Sequence, residues 1–323
     1  MNIGIIGTGW IADKLSTAIN GLDENYTAYA VSSRSYTKAE EFAKSHGFKK
    51  AYGSYEEMVN DSSIDLVYIA TPHSHHYEHA KLCIKAGKNM LVEKAFTANA
   101  AQAAEIFTLA ESKGIFVTEA IWTRYMPSRK MISDLIDSGI IGTPYMISAN
   151  LCYPNDFMER IQKPELAGGS LLDLGVYALN FASMIFGNDI DTLHGSCVKL
   201  PTGVDASESI SITYKNGKLA NLYSSVMTPS DRFGTVYGNK GYIQVQNINN
   251  PEMIRIYNTD HELVKEIAPP KQINGYEYQL IACRDAILNK KTECSEMPHA
   301  ETIEIMKQMD TLRALWNIKY PFE

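Results

Sequence analysis

No unbroken apolar stretch in this chain approaches the length of a membrane span, and no basic segment leads into an apolar one ahead of the first strand. An integral membrane protein and a secreted one both fall outside expectation. Positive charge is the scarcer sign: 30 Lys and Arg face 37 Asp and Glu, leaving a formal net charge of −7 and a pI near 5.7. Such a balance excludes nucleic acid and anionic membrane as expected main partners. Cysteine is sparse and lacks pattern. Cys83, Cys152, Cys197, Cys283 and Cys294 are odd in number and never form C-x-x-C, so they read as free thiols, mostly core filler, in a reducing cytoplasm. Low-complexity segments and internal repeats are missing too. What remains is 323 residues, 45% hydrophobic and 21% charged, the make-up of a soluble globular protein. That length exceeds what one hydrophobic core usually serves, so two domains are expected.

The first residues present carry a binding signature. Asn2-Ile3-Gly4-Ile5-Ile6 is a short apolar strand that runs into Gly7-Thr8-Gly9-Trp10-Ile11-Ala12 and then into a helical pattern through Ile19. A strand, a glycine turn and a helix start, in that order, suit a pyrophosphate. Gly7 permits the tight turn, Gly9 lets the backbone approach the phosphates, and the helix N-terminus presents unpaired N–H groups and the positive end of its dipole. Ala12 stands where the dinucleotide fingerprint has its third glycine, a position that governs helix–strand packing and accepts alanine. Gly7, Thr8, Gly9, Trp10 and Ile11 are therefore expected cofactor-binding residues.

The first third of the chain alternates strand and helix. Strands are expected over 2–6, 26–32, 64–70, 89–92 and 115–119, with helices between them over 37–46, 55–60, 75–86 and 99–113. This is the grammar of an α/β Rossmann domain: a parallel sheet with right-handed crossovers and helices on both faces. Ligands of such sheets sit beyond the carboxyl ends of the strands, which selects segments 7–10, 32–34, 71–76, 93–95 and 119–124. After about residue 120 the pattern changes. Helices over 127–138 and 169–186 are followed by strand-like runs at hairpin spacing, from 145–152 through 262–267, with turn signals at Asn216-Gly217 and Gly238-Asn239-Lys240-Gly241. Two helices, 276–288 and 300–316, end the sequence given. The expected organisation is a dinucleotide-binding Rossmann domain, 1–120, and an α+β domain, 121–323, for substrate binding and dimerisation, with a large open-faced, mainly antiparallel sheet. One broad face of that sheet lacks enough helix to cover it, so a homodimer or higher homo-oligomer with an apolar and aromatic interface is expected.

Glu93-Lys94 follows the buried strand 89–92 at the ligand end of the sheet. An oxidised nicotinamide is positively charged and disfavours a neighbouring ammonium, which makes Lys94 a candidate acceptor for the proton of a hydroxyl that loses hydride. The early G-x-G, Thr71-Pro72-x-x-x-His76, Ala86-Gly87-Lys88 and Glu93-Lys94 together resemble the Gfo/Idh/MocA oxidoreductase family over the whole chain. Residues 119–125 (Glu-Ala-Ile-Trp-Thr-Arg-Tyr) and 168–177 (Gly-Gly-Ser-Leu-Leu-Asp-Leu-Gly-Val-Tyr) resemble its branch of dihydrodiol dehydrogenases and NADP-dependent D-xylose 1-dehydrogenases.

The resemblance implies an NAD(P)-binding domain joined to an open-faced sheet domain, acting on sugars and related polyols. It implies that Lys94 is the catalytic lysine, supported by Glu93, and that Tyr177 is the proton-transfer acid or base, paired with Lys94. Asp173 lies four residues earlier, on the same face of one helix, and with Arg124 orients them or the substrate. Thr71, Pro72, His73 and His76 are implied to line the cofactor groove, and Trp122 and Arg124 to reach the cofactor from the 119–124 segment. Ala95 replaces the proline usual in the family after the lysine. There the Lys–Pro bond is often cis, so Lys94-Ala95 is expected either to keep that geometry or to aim the lysine from a trans backbone.

His73, His75, His76 and His79 form a cluster without H-E-x-x-H order or a clear third ligand, and no metal is expected. The second strand ends Val31-Ser32-Ser33-Arg34-Ser35, without the acid that holds a ribose 2′-hydroxyl in NAD enzymes. Arg34, supported by Ser33, can pair with a 2′-phosphate, so NADP is expected in preference to NAD. The expected function is hydride transfer between NADP and a hydroxyl or hemiacetal carbon of an aldose or cyclic vicinal diol. Its rivals are a dinucleotide-binding sensor without turnover and an enzyme that cleaves glycosides by transient oxidation.

Overall fold

The structure, a computed structural model, describes all 323 residues. They form two compact units: 1–125 with 272–303, and 126–271 with 304–323.

The first unit is built on strands β1 (Asn2–Ile6), β2 (Thr27–Ser32), β3 (Lys50–Tyr52), β4 (Leu66–Ile69), β5 (Asn89–Glu93) and β6 (Val117–Ala120). All pairings are parallel and the order is β3-β2-β1-β4-β5-β6. The chain winds outward from β1 to β3, then starts again on the other side with β4. The place where that direction reverses lies between β1 and β4, where such sheets bind their ligands. Helices α1 (Trp10–Gly21), α2 (Tyr36–His46), α3 (Tyr55–Val59), α4 (His73–Lys85) and α5 (Ala100–Ser112) make the crossovers. Ser35, Ser54 and Asn99 start three of them, each accepting a backbone N–H of the first turn. Strand β3 escaped the sequence reading because three residues are too few to show a period.

The expected boundary at 120 also needs correction. Residues 272–303, with α9 (Glu277–Leu288), belong to the first unit. Asn274 Nδ2 donates to the Lys14 carbonyl (2.8 Å), and Val117 N donates to the Thr292 carbonyl (3.0 Å).

The second unit opens with α6 (Pro127–Asp137) and contains β7 (Pro144–Cys152), α7 (Glu159–Gln162), a wide helical turn over Leu171–Gly175, and α8 (Val176–Phe186). Strands β8 (Ile190–Lys199), β9 (Asp205–Tyr214), β10 (Leu219–Ser225), β11 (Gly234–Gly238), β12 (Gly241–Gln246), β13 (Met253–Tyr257) and β14 (Leu263–Ile267) complete it. Helix α10 (His299–Leu315) starts in the first unit and ends in the second. The sheet runs β14-β13-β12-β11-β7-β10-β9-β8 and is antiparallel except for β7 beside β10. The hairpins lie at both turn signals read from the sequence.

One face of this sheet carries Ala206, Ile210, Ile212, Ala220 and Leu222, all buried, and packs on α8. Residues 164–186 are long and apolar enough to span a membrane (mean hydropathy 1.3), contrary to the sequence reading. In their most apolar stretch 89% of the residues are buried in the protein's own core, which accounts for the composition. The opposite face carries Ser209, Asn221, Tyr223 and Gln244, with Tyr242 beside Tyr237 and stacked on Tyr257 (ring centroids 5.9 and 4.8 Å). On this face the aromatic rings are interspersed with hydroxyl and amide side chains and with the exposed apolar Met146, Val198 and Leu263.

Candidate active-site elements

The turn after β1 has the form that a pyrophosphate requires. Gly7 sits at φ +108°, and a Cβ there would lie 2.7 Å from the Ala70 carbonyl oxygen at the end of β4. Only glycine fits. Gly9 starts α1 with no capping side chain, and a Cβ on it would meet no protein atom within 4 Å. The space in front of the leading N–H groups of α1 is thus open, which fits a phosphate. Thr8 and Ile11 are half-buried and Trp10 is exposed beside it, with Lys14 Nζ 5.5 Å from its ring. At the end of β2, Ser33 Oγ accepts the Ser35 N–H (3.4 Å) and Arg34 is exposed. Its guanidinium helps hold His75 below the ordinary imidazole range, after burial, the larger cause.

Thr71 and Pro72 carry the chain from β4 into α4, which starts at His73, two residues earlier than the sequence suggests. Thr71 Oγ1 meets His79 Nδ1 (3.0 Å), and His73 is buried edge-on to the His76 ring. His76 is 0% exposed. Its Nδ1 faces the Ala95 carbonyl (2.9 Å) and its Nε2 the Thr71 carbonyl (2.7 Å). Burial pushes this imidazole down to about 4, so it is neutral at pH 7 and donates to one carbonyl at a time. A side chain without surface touches no cofactor, which corrects the groove-lining expectation for His76. Its place is between the end of β4 and the Lys94 turn, which it ties together.

Lys94 is half-buried, and the Lys94–Ala95 peptide is cis. The Lys94 N–H donates to Glu93 Oε2 (3.2 Å), and Glu93 Oε1 accepts the Tyr68 hydroxyl. Beyond β6, Trp122 is buried and stacked on Tyr276 (4.2 Å, interplanar 4°). Arg124 is 3% exposed and donates from Nη2 to Glu301 Oε1 (2.6 Å). The expectation that Arg124 orients substrate or cofactor therefore meets a guanidinium already engaged by a carboxylate of its own unit.

In the second unit Tyr177 stands in the first turn of α8, 7% exposed. Asp173 lies in the wide turn before it. Asp173 is buried and takes a two-point ion pair from Arg160 (2.8 and 3.2 Å). Asp173 therefore acts as an anchor for the turn. The sequence reading missed Arg160, along with Asp205 and Glu208 beneath the same turn. Asp205 Oδ2 accepts the Leu171 N–H (2.5 Å) and Glu208 accepts the Ser224 hydroxyl. A Cβ on Gly169 (φ +113°) would lie 2.4 Å from Asp205 Oδ1, and one on Gly175 2.8 Å from Glu208 Oε1. The glycines of the 168–177 motif thus make room for two buried carboxylates. Burial raises the pKa of both, that of Glu208 well above its ordinary value, and the Asp205 charge raises Glu208 further.

Residues 1–120 match the oxidoreductase family with an NAD-binding Rossmann fold, Gfo/Idh/MocA, and residues 130–244 match the Gfo/Idh/MocA C-terminal domain. The trans-1,2-dihydrobenzene-1,2-diol dehydrogenase of Mus musculus is 31% identical over 98% of this chain and 97% of its own. The chain belongs to the Gfo/Idh/MocA family. Another member, the NADP(+) D-xylose 1-dehydrogenase of Hypocrea jecorina, is 32% identical over 98% of this chain and 92% of its own. A 3-ketoreductase from Actinomadura kijaniata, solved with NADP and TDP-benzene, shares the family fold at a TM-score of 0.89 and 21% identity over 97% of each chain. The aldose-aldose oxidoreductase of Caulobacter crescentus, solved with glycerol, does so at a TM-score of 0.88 and 18% identity, over 98% of this chain and 97% of its own.

Proposed function

We propose that this protein is a cytoplasmic NADP-dependent dehydrogenase or reductase that acts on a hydroxyl or hemiacetal carbon of an aldose or a cyclic vicinal diol. The observation that carries the reading is the nucleotide cradle. An uncapped helix N-terminus stands over a glycine-only turn, and the adjacent strand ends in Ser33-Arg34 instead of a carboxylate. Gly7, Thr8, Gly9, Trp10 and Ile11 would hold the pyrophosphate, Ser33 and Arg34 the 2′-phosphate, and Thr71, Pro72 and His73 the groove between them. NADP, when bound, supplies the acceptor or donor of hydride.

The residues of the chain do the rest. A carbinol that gives up hydride must also give up its hydroxyl proton, and Lys94 Nζ and Tyr177 Oη are the groups proposed to take it. Glu93 holds the Lys94 backbone, and Asp173, fixed by Arg160, anchors the turn that carries Tyr177. The relatives at about 30% identity are named as dehydrogenases of a diol and an aldose, which supports this substrate range over the sensor and glycoside-cleaving readings. We further propose a homodimer formed through the uncovered sheet face. Screening aldoses and cyclic diols for NADPH formation tests the reading, and turnover of none of them would overturn it.

A further inference from the structure

The Lys94 turn is braced from behind by a carboxylate for which the proposed reaction has no use. Glu119 lies near the end of β6, paired in register with Val92 of β5, and is 1% exposed. Its Oε1 accepts the N–H of Phe96 (3.1 Å), two residues beyond Lys94. Its Oε2 accepts the hydroxyl of Thr302 in α10 (3.0 Å). His76 meets the carbonyl of Ala95 in the same turn. The backbone on which Lys94 stands is thereby held at two consecutive residues, by His76 from α4 and by Glu119 from β6.

We propose that Glu119 is a positioning residue: it fixes the 94–96 turn that aims Lys94 and, through Thr302, makes that aim depend on the docking of 272–303. The proposal rests on the reading of Lys94 as a proton-transfer group. A carboxylate that accepts two hydrogen bonds is a stronger and more directional brace than a neutral acceptor. A reacting group displaced by about 1 Å loses roughly a hundredfold in rate.

The brace titrates near neutrality. Burial raises Glu119 to about 7, against the pull of the Thr302 hydroxyl, the Phe96 N–H and Arg124, while Glu93 adds to the rise. The charged groups that act on it are Glu93 at the end of β5 and Arg124 after β6, beside the Thr302 hydroxyl of α10 and the Phe96 N–H, while the Tyr125 hydroxyl donates to the Glu119 backbone carbonyl (2.7 Å). Only the ionised form offers both oxygens as acceptors with no proton between them, so turnover falls as pH drops through about 7.

The test compares Glu119→Leu, Glu119→Gln and Thr302→Val in the full chain. Glu119→Leu should lower kcat about a hundredfold while KM and NADP affinity stay within a few-fold. Glu119→Gln, which mimics the protonated acid at every pH, should turn over at the reduced rate the parent shows below neutrality, because its amide oxygen accepts from Phe96 without the charge of the carboxylate. Its kcat should therefore show no titration near neutrality. Thr302→Val removes a bond that favours the ionised form, so the acid limb should move to higher pH. Melting of Glu119→Gln relative to the parent gives a readout independent of turnover. With the folded pKa raised, the neutral form's stability is lost as pH rises toward about 7, so the advantage of Gln should grow over that range and then level off. A Glu119→Leu protein with parental kcat would overturn the inference. If that variant fails to fold, Thr302→Val decides, and an unmoved pH profile would overturn it. A Lys94→Met enzyme that stays active would overturn the underlying reading of Lys94, whereas an inactive Lys94→Met beside an active Glu119→Leu overturns only the brace.

Discussion

A carboxylate at the end of β2 would repel a ribose 2′-phosphate, and Ser33-Arg34 in its place attracts one. If Arg34 makes that contact, calorimetry should show NADP binding about tenfold or more tighter than NAD, since charge-assisted bonds contribute about 1.5–3 kcal/mol. Arg34→Ala should erase the gap, and equal affinities in the parent protein would refute the assignment. The proton-transfer groups separate differently. Lys94→Met should abolish turnover and leave NADP affinity within a few-fold, because the lost interaction belongs to the transition state. Tyr177→Phe should lower turnover about a hundredfold, the scale of general acid–base catalysis. Loss of NADP binding in Lys94→Met would instead make that lysine a cofactor anchor. These residues could be picked out in the sequence by type and place. Their partners could not: Ala95 for His76, Glu301 for Arg124 and Arg160 for Asp173 come together only in three dimensions. The partners turn His76 and Arg124 from surface contacts into internal supports.

At the scale of elements, strand and helix periodicity exposed the Rossmann order and most of the second sheet. Its limits were physical. Strand β3 is too short to carry a period, and the wide turn at 171–175 has the apolar composition of the helix it interrupts. The glycines of the 168–177 motif gave a sign of close approach without saying to what. The structure supplies Asp205 and Glu208. Gly169→Ala, forced to φ +113° against Asp205, should cost about 1–3 kcal/mol in thermal unfolding. The carboxylate pair also sets a pH dependence. Both groups have raised folded pKa values, so the stability of their protonated forms is present at acid pH and lost as pH rises. Glu208→Gln, which removes the group that is hardest to ionise, should therefore raise the melting temperature above that of the parent at alkaline pH and leave it unchanged in acid. A variant that melts lower throughout would assign Glu208 a needed negative charge.

For the whole molecule, the boundary that sequence placed at 120 proves to be three crossings, at 125–126, 271–272 and 303–304. A composition shift marks the first. The other two fall within ordinary globular sequence, the last of them inside α10. What sequence did reveal at this scale was a sheet with more face than helix. In the structure Tyr223 on that face is 46% exposed, flanked by Ser209 and Asn221 and continued by the tyrosines at 237, 242 and 257. Two copies of such a face, related by a two-fold axis, can exchange hydroxyl and amide hydrogen bonds around stacked rings. A stable contact needs about 800 Å² from each partner. Light scattering should then give twice the chain mass of 36.0 kDa. Tyr223→Arg, which places an unpaired charge on the face, should yield the single-chain mass with unchanged circular dichroism, since the side chain packs on nothing in its own core. A parent protein that is monomeric at micromolar concentration, or a Tyr223→Arg variant that remains dimeric, would place the contact on another surface.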